Sequence, residues 1–334
     1  MKKTYYLFNP GRISRRDNTL KFTPVDDKGT ELTPKYIPVE NVSDLYLFGN
    51  LDANSAMYNF LGKQKINVHF FDYHEHYTGS FYAKEYLLAG KLQVQQTRHY
   101  LTSAKRMNIA RTFVKGAAHN ILRNLKYYQA RNKDLAQYID TIEGYLLQVD
   151  GSHAIDELMG IEGNIRQCYY AGYDEILGDL KMEGRSKQPP TNEVNSLISL
   201  GNMLCYTVCL DQIYHTQLNP TISFLHEPGV RRFSLALDMA EIFKPILVDK
   251  VIFSLLNRQQ LKASDFHEGT GRVTLKERGK KVFLKAWEER LNQTIKHRSL
   301  GRHVSYKHLI KLECYKLCNH LLDIKPYQPF KAWW

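Results

Sequence analysis

The sequence predicts an α+β multidomain protein, with a small N-terminal β-sheet domain followed by a larger all-α domain. Three observations carry this reading. At 334 residues the chain exceeds a typical single domain. Before residue 84, short apolar or alternating runs are separated by Asn, Asp, Gly and Pro clusters. From Lys84 onward the apolar residues recur at helical spacing instead. The expected domains are therefore 1–83 and 84–334.

In chain order, strands are expected at Tyr5–Phe8, Thr19–Phe22, Leu45–Phe48, Ile66–Phe71 and Gly79–Tyr82, with "NPGR", "RRDN" and "DDKGTE" as turns. A helix over Asn54–Lys63 has Met57, Phe60 and Leu61 on its inner face. In the second domain, helices are expected at Leu87–Tyr100, Ala104–Ala118, Asn120–Ala130, Leu135–Leu147 and Ile155–Leu177. Others follow at Val194–His215, Phe233–Phe243, Lys250–Asn257, Lys281–Ile295 and Ser305–Leu322. Residues 264–279 read as a loop with a short β turn. Strand alternation in "HFFDYHEHYTG" puts Asp72, His74 and His76 on one face; a strand edge and turn is preferred there over a metal site.

No apolar run is long enough to cross a bilayer, and no apolar segment of signal length follows the N-terminal lysines, so a cytoplasmic location is expected. The cysteines number five, with Cys205/Cys209 and Cys314/Cys318 each four apart within helical patterns. Small buried residues on core helices is preferred over zinc ligation. The net charge of +12 is unevenly distributed. Residues 84–133 hold eleven Lys or Arg and one acid, and residues 272–311 hold twelve and three. Between them, residues 134–184 hold eleven acids and two bases. Basic tracts around an acidic one suggest a polyanion such as nucleic acid beside a carboxylate-rich site.

The stretch "SFLHEPGVRRFSLALDMAEIFKP" poses a burial problem. Its helix is apolar almost all round, and Ser234, Asp238 and Glu241 form one thin polar stripe. Two carboxylates on a buried helix need counter-charge, which Arg231 and Arg232 or a metal ion would provide. His226 precedes a Pro-Gly turn shortly before this helix. Glu162 borders the apolar face set by Met159 and Ile165, whereas Asp156 and Glu157 are ordinary first-turn acids. Two carboxylates and an imidazole suit a hard divalent ion: oxygen ligands favour Mg²⁺, and the imidazole makes Mn²⁺ more comfortable.

These motifs together resemble the CRISPR-associated endonuclease and integrase family of spacer acquisition (Cas "one"). "YYLFNPGRISRRDNTLKF" resembles its opening hairpin, "VENVSDLYLFG" the next strand, and "INVHFFDYHEHYTGSFY" the end of its β domain. "LMGIEGNIRQCYY" resembles the glutamate helix, "RSKQPPTNEVNSLISLGNMLCYTV" the Arg, Pro-Pro and Asn segment, and "LNPTISFLHEPGVRRFSLALDMAEIFKPILVD" the histidine and acid-helix segment. The resemblance implies a metal-binding triad of Glu162, His226 and Glu241, with Asp238 a further acid of the same helix. Several members carry Asp where Glu241 stands. Arg185 and Asn195 match motif positions and are expected to support the site or contact DNA, as are Arg231 and Arg232. It further implies a homodimer formed through the β domains, a smaller Cas "two" partner, and duplex or branched DNA as substrate. The expected activity is metal-dependent insertion of DNA fragments into a CRISPR array by attack of a 3′-hydroxyl. The alternative is a helical DNA-binding scaffold whose carboxylates are structural. The C-terminal "YQPFKAWW" remains either a base-stacking patch or a tail docked on the core or a partner.

Overall fold

The structure, a computed structural model, describes residues 2–26, 28–72, 74–83, 90–186, 189–229, 233–269 and 271–333. It divides into two compact units, Met1–Leu88 and Ala89–Trp334.

The first unit holds two four-stranded sheets. The strands are β1 (Lys3–Leu7), β2 (Gly11–Arg16), β3 (Thr19–Pro24), β4 (Lys35–Pro38), β5 (Val42–Leu47), β6 (Leu51–Asp52), β7 (Asn67–Phe71) and β8 (Tyr77–Phe81), with helix α1 (Ser55–Lys63) before β7. One sheet runs β1-β5-β7-β8, parallel except for the last pair; the other runs β4-β3-β2-β6. Alternate residues such as Ile13, Leu20, Phe22, Leu45 and Val68 meet Met57, Phe60 and Leu61 of α1 in one apolar core. The Asn54 side chain caps α1 by accepting from Met57 N. β2, β4 and β6 were not expected: they are short or too polar on one face to show a clear run. The Asp72 carboxylate accepts from the backbone N–H groups of His74 and His76, so this segment is the β7–β8 turn rather than a strand face.

The second unit is mostly helical: α2 (Gly90–Leu101), α3 (Ser103–Gln129), α4 (Ala136–Gln148), α5 (Ile155–Ala171), α6 (Tyr173–Ile176), α7 (Glu193–Tyr214), α8 (Ser234–Lys244), α9 (Lys250–Asn257), α10 (Glu277–Asn292) and α11 (Tyr306–Leu321). Two hairpins, β9 (Phe266–Gly269) with β10 (Arg272–Leu275) and β11 (Thr294–Lys296) with β12 (His303–Ser305), flank α10. Three expectations are corrected. The two helices expected between Ala104 and Ala130 are one continuous helix, α3. The single helix expected over Ile155–Leu177 breaks at Gly172. The 264–279 loop is the β9–β10 hairpin followed by the first turn of α10, which begins four residues before the expected Lys281. Among the described residues, no helix is long and apolar enough to cross a membrane.

Helix α7 is buried on all sides, and α8 packs on it. Gly201 permits a close approach: a Cβ there would lie 2.4 Å from Val248 Cγ1. Between α8 and α9, residues Pro245–Asp249 form a π-helical turn. Pro245 has no N–H to offer the preceding turn, and widening absorbs the fault. Side chains then supply donors to this stretch: Asn120 to Ile242 O at 2.9 Å, Asn124 to Pro245 O at 2.7 Å, and Arg290 to Ile246 O at 2.7 and 2.9 Å. The acid helix is thus held in place by α3 and α10.

The C-terminal tail docks on this core. Tyr327 Oη and Phe330 N donate to the buried Glu313, Ala332 N donates to Asn120, and Phe330 stacks on Phe243 of α8. The tail crosses α3 at Gly116, where a Cβ would come within 2.6 Å of Pro329. Gly116→Ala is therefore expected to destabilise the second unit by about 1–3 kcal/mol through overpacking. Limited proteolysis should then cut near residue 325 before the rest of the chain opens.

Candidate metal centre

The candidate side chains lie on three segments: the middle of α5, the loop before α8, and α8 itself. Asp238 is fully buried, and its carboxylate organises that loop. Oδ2 accepts from Phe224 N at 2.7 Å and Leu225 N at 3.1 Å, while Oδ1 accepts from His226 N at 2.9 Å. The same Oδ1 lies 2.8 Å from His226 Nδ1. An ionised carboxylate only accepts, so Nδ1 carries the proton and Nε2 is the lone-pair nitrogen of the neutral ring. The loop is also tied from outside. Arg106 Nε donates to Phe224 O at 2.9 Å, and its Nη2 pairs with Glu227 at 2.6 Å.

Glu241, one turn further along α8, is almost fully buried and bound by two cations. Arg166 Nη2 donates to Oε2, and Lys244 Nζ lies 2.5 Å from Oε1. Arg166 also reaches back one helical turn, its Nε donating to Glu162 Oε1 at 3.0 Å. One guanidinium thus spans Glu162 on α5 and Glu241 on α8. The sequence analysis looked to Arg231 and Arg232 or a metal ion for counter-charge; Arg166 and Lys244 supply it among the described residues, and Arg231 and Arg232 lie outside them.

Electrostatics follow from this packing. Burial favours the neutral form of Glu241, but Arg166 and Lys244 outweigh it and hold the carboxyl at about 2. Burial likewise pulls the His226 ring down, yet the Asp238 hydrogen bond and the charges of Asp238 and Glu241 leave its pKa above the ordinary histidine value. His226 and Glu241 thus each feel the other's charge.

The remaining candidates take supporting positions. Asn195 on α7 is fully buried and pins the preceding loop, accepting from Ser186 N at 3.0 Å and donating to Gly184 O at 2.8 Å. It also accepts from Arg185 Nη1 at 2.9 Å, and Arg185 feels Tyr170 and Arg166 on α5. Asn195 thus positions Arg185 beside the glutamate helix. The thiols of Cys209 and Cys314 are pushed well above their usual range by burial first, which disfavours the thiolates zinc requires. Sequence reasoning missed Arg166 and Lys244, although Lys244 at three residues from Glu241 and Arg166 at four from Glu162 are both helix-face spacings.

Two carboxylates and an imidazole whose Nε2 is selected by a carboxylate behind Nδ1 form a donor set suited to a hard or borderline divalent cation. Without such an ion, Glu241 stabilises the fold only while ionised. Its contribution is fully present above the unfolded value of 4.5 and is lost as pH falls through about 2. In chelator, Glu241→Gln is expected to cost about 3 kcal/mol at neutral pH by leaving Lys244 unpaired and Arg166 with Glu162 alone. Thermal melts should show the gap to wild type closing between pH 4.5 and about 2.

Comparison with known proteins places the chain in a family. The family model described as "CRISPR associated protein Cas1" matches residues 5–289. A "CRISPR-associated endonuclease Cas1" of Fusobacterium nucleatum is 44% identical over 335 aligned positions, covering 100% of this chain and 98% of the relative. The solved structure of a CAS1 protein from Thermotoga maritima superposes with a TM-score of 0.84 at 38% identity, covering 98% of this chain and 99% of that one. A casposase bound to integration product, 18% identical, shares the fold with a TM-score of 0.87 over 99% of this chain and 94% of its own. The chain belongs to the Cas1 family of CRISPR-associated endonucleases.

Proposed function

We propose that this chain is a metal-dependent DNA endonuclease and integrase that inserts DNA fragments into a CRISPR array, with Glu162, His226 and Glu241 as the ligands of Mg²⁺ or Mn²⁺. The observation that carries the reading is the convergence of two carboxylates from different helices on Arg166, beside an imidazole oriented by a buried Asp238. A divalent cation held by these residues would set positive charge against a phosphodiester oxygen and offset the negative charge that develops there. Asp238 acts through His226: it fixes the tautomer and the ring orientation and touches no substrate. Arg166 and Lys244 hold the two glutamates in position, and once released from them are cations close to an incoming phosphate. Arg185 stands next to them on the loop pinned by Asn195.

The reaction is an exchange of phosphodiester bonds. The 3′-hydroxyl of the incoming fragment attacks phosphorus at the repeat edge, its proton passes to solvent or a nearby base, and the former 3′ oxygen leaves. Water in place of the hydroxyl gives hydrolysis, so one site serves both cleavage and insertion. Positioning and charge neutralisation carry the catalysis. In this reading the first unit forms the homodimer contact, a Cas2 partner completes the integration complex, and the protein works in the cytoplasm.

A second reading has one observation behind it. Arg166 and Lys244 neutralise both glutamates, as in a structural ion-pair cluster of a DNA-binding scaffold. The two readings part on metal dependence. Glu162→Ala, His226→Ala and Glu241→Ala are each expected to lower strand transfer into a repeat-containing duplex by roughly 100-fold or more. Chelator should do the same to wild type, while filter binding of duplex DNA stays within a factor of about two. DNA binding without any metal-dependent strand transfer supports the scaffold, and activity that survives chelation or all three substitutions contradicts the ligand assignment. Duplex affinity should also fall steeply between low and moderate salt, because the basic tracts meet phosphates.

A further inference from the structure

One buried carboxylate near the acid helix has no part in the proposed chemistry. Asp249 closes the π turn between α8 and α9 and is 2% exposed. Its Oδ2 has no hydrogen-bond partner, and neither has the hydroxyl of the fully buried Tyr173 that faces it. Tyr169 is the second phenol on this carboxyl, its ring 5.2 Å from that of Tyr173. The nearby amide is already committed: Asn124 Nδ2 donates to Tyr169 Oη at 2.9 Å and to Pro245 O at 2.7 Å. Burial pushes the Asp249 carboxyl up to about 6, and Tyr173, Arg166, Tyr169 and Lys244 oppose that without cancelling it. Lys250, the next residue along the chain, also feels Asp249. At neutral pH the interior therefore holds an ionised carboxylate with one oxygen unsatisfied, which destabilises the fold unless a cation arrives.

The α5 stripe shows which cation is placed to arrive. Arg166, Tyr169 and Tyr173 follow at spacings of three and four, so they share one face that runs from α5 into α6. Glu162 lies one turn before Arg166 on this face, about 6 Å of rise away, and Tyr169 lies about 4.5 Å of rise beyond it in the other direction. Arg166 thus stands between the acid centre, where its guanidinium now pairs with Glu162 and Glu241, and the phenols that face Asp249. It is also the charged group that acts most strongly on Asp249. A buried guanidinium displaced from Glu241 needs another anion, because an unpaired buried charge is too costly.

We propose that Asp249 is a second berth for Arg166: when a divalent cation takes Glu162 and Glu241, the guanidinium turns along α5 onto Asp249 Oδ2. The inference rests on the metal-site reading and deepens it. Asp249 is a positioning residue, acting on the site through Arg166 and touching no substrate. The ion pair lost at Glu241 is replaced inside the same unit, so the metal does not leave a bare cation behind it. A guanidinium has five donors, and one edge on Asp249 leaves others for phosphate.

The test combines thermal melts in EDTA with calorimetric titration of Mn²⁺ into the full chain. In EDTA at neutral pH, Asp249→Asn is expected to raise Tm by about 5 °C, because it removes an unpaired buried charge. The folded value of about 6 exceeds the unfolded 3.8, so the penalty is complete above about 6 and disappears as pH falls to 3.8; the gap between variant and wild type should close over that window. In the titration at neutral pH, Asp249→Asn is expected to bind Mn²⁺ about 10-fold more weakly than wild type. In an Arg166→Gln background, with no guanidinium to rehouse, the same substitution should change affinity less than about twofold. If Arg166→Gln fails to fold by circular dichroism, the Mn²⁺-loaded crystal structure is read instead, with Arg166 expected on Asp249. A lower Tm for Asp249→Asn in EDTA at neutral pH overturns the proposal, as does Mn²⁺ affinity equal to wild type. So does an undiminished loss in the Arg166→Gln background, or Arg166 away from Asp249 in the loaded crystal. Glu241→Ala separates the two levels: Mn²⁺ binding that survives it removes the metal-site reading and the berth together, whereas binding that it abolishes leaves the berth to be judged on the Asp249 arms alone.

Discussion

A carboxylate on a buried helix has to be compensated, and α8 carries two. Each is compensated in a different way. Asp238 is satisfied by three backbone N–H groups and an imidazole, so it shapes a loop. Glu241 is satisfied by formal charge from Arg166 and Lys244. In the proposed reading, Asp238 builds the site and Glu241 binds within it. It also explains how Glu162 joins from another helix: the guanidinium that neutralises Glu241 holds Glu162 as well.

The surrounding packing keeps that arrangement from relaxing. Pro245 would kink the helix one turn after Glu241, yet Asn120, Asn124 and Arg290 satisfy carbonyls on both sides of the π turn. The C-terminal tail adds Phe330 against Phe243, on the same helix. A site that must hold phosphate in register gains from such rigidity, because ligands that stay in place need no reorganisation when charge develops.

Much of this was legible in the sequence because burial makes polar residues conspicuous. Asp238 and Glu241 stood out on an apolar helix, and both are buried. The change from strand alternation to helical spacing separated the β-sheet unit from the helical one. The compensating cations were harder to read. Arg166 on α5 meets Glu241 on α8 because both helices pack on α3, which no local pattern encodes, while Arg231 and Arg232, nearer in sequence, were named beside a metal ion. The aromatic tail was ambiguous for the same reason: its partners Glu313 and Asn120 lie in other elements. Polar strands such as β2 lacked an apolar run, and their pairing depends on neighbours far along the chain.

The central claim is that Glu162, His226 and Glu241 exchange Arg166 and Lys244 for a divalent cation. Anomalous diffraction from crystals soaked in Mn²⁺ tests it most directly. The account predicts a strong peak bonded to His226 Nε2 and to oxygens of both glutamates, with the Arg166 guanidinium displaced from Glu241. A saturated crystal with Arg166 still on Glu241 and manganese bound elsewhere, from a preparation whose DNA cleavage needs Mn²⁺, would contradict it.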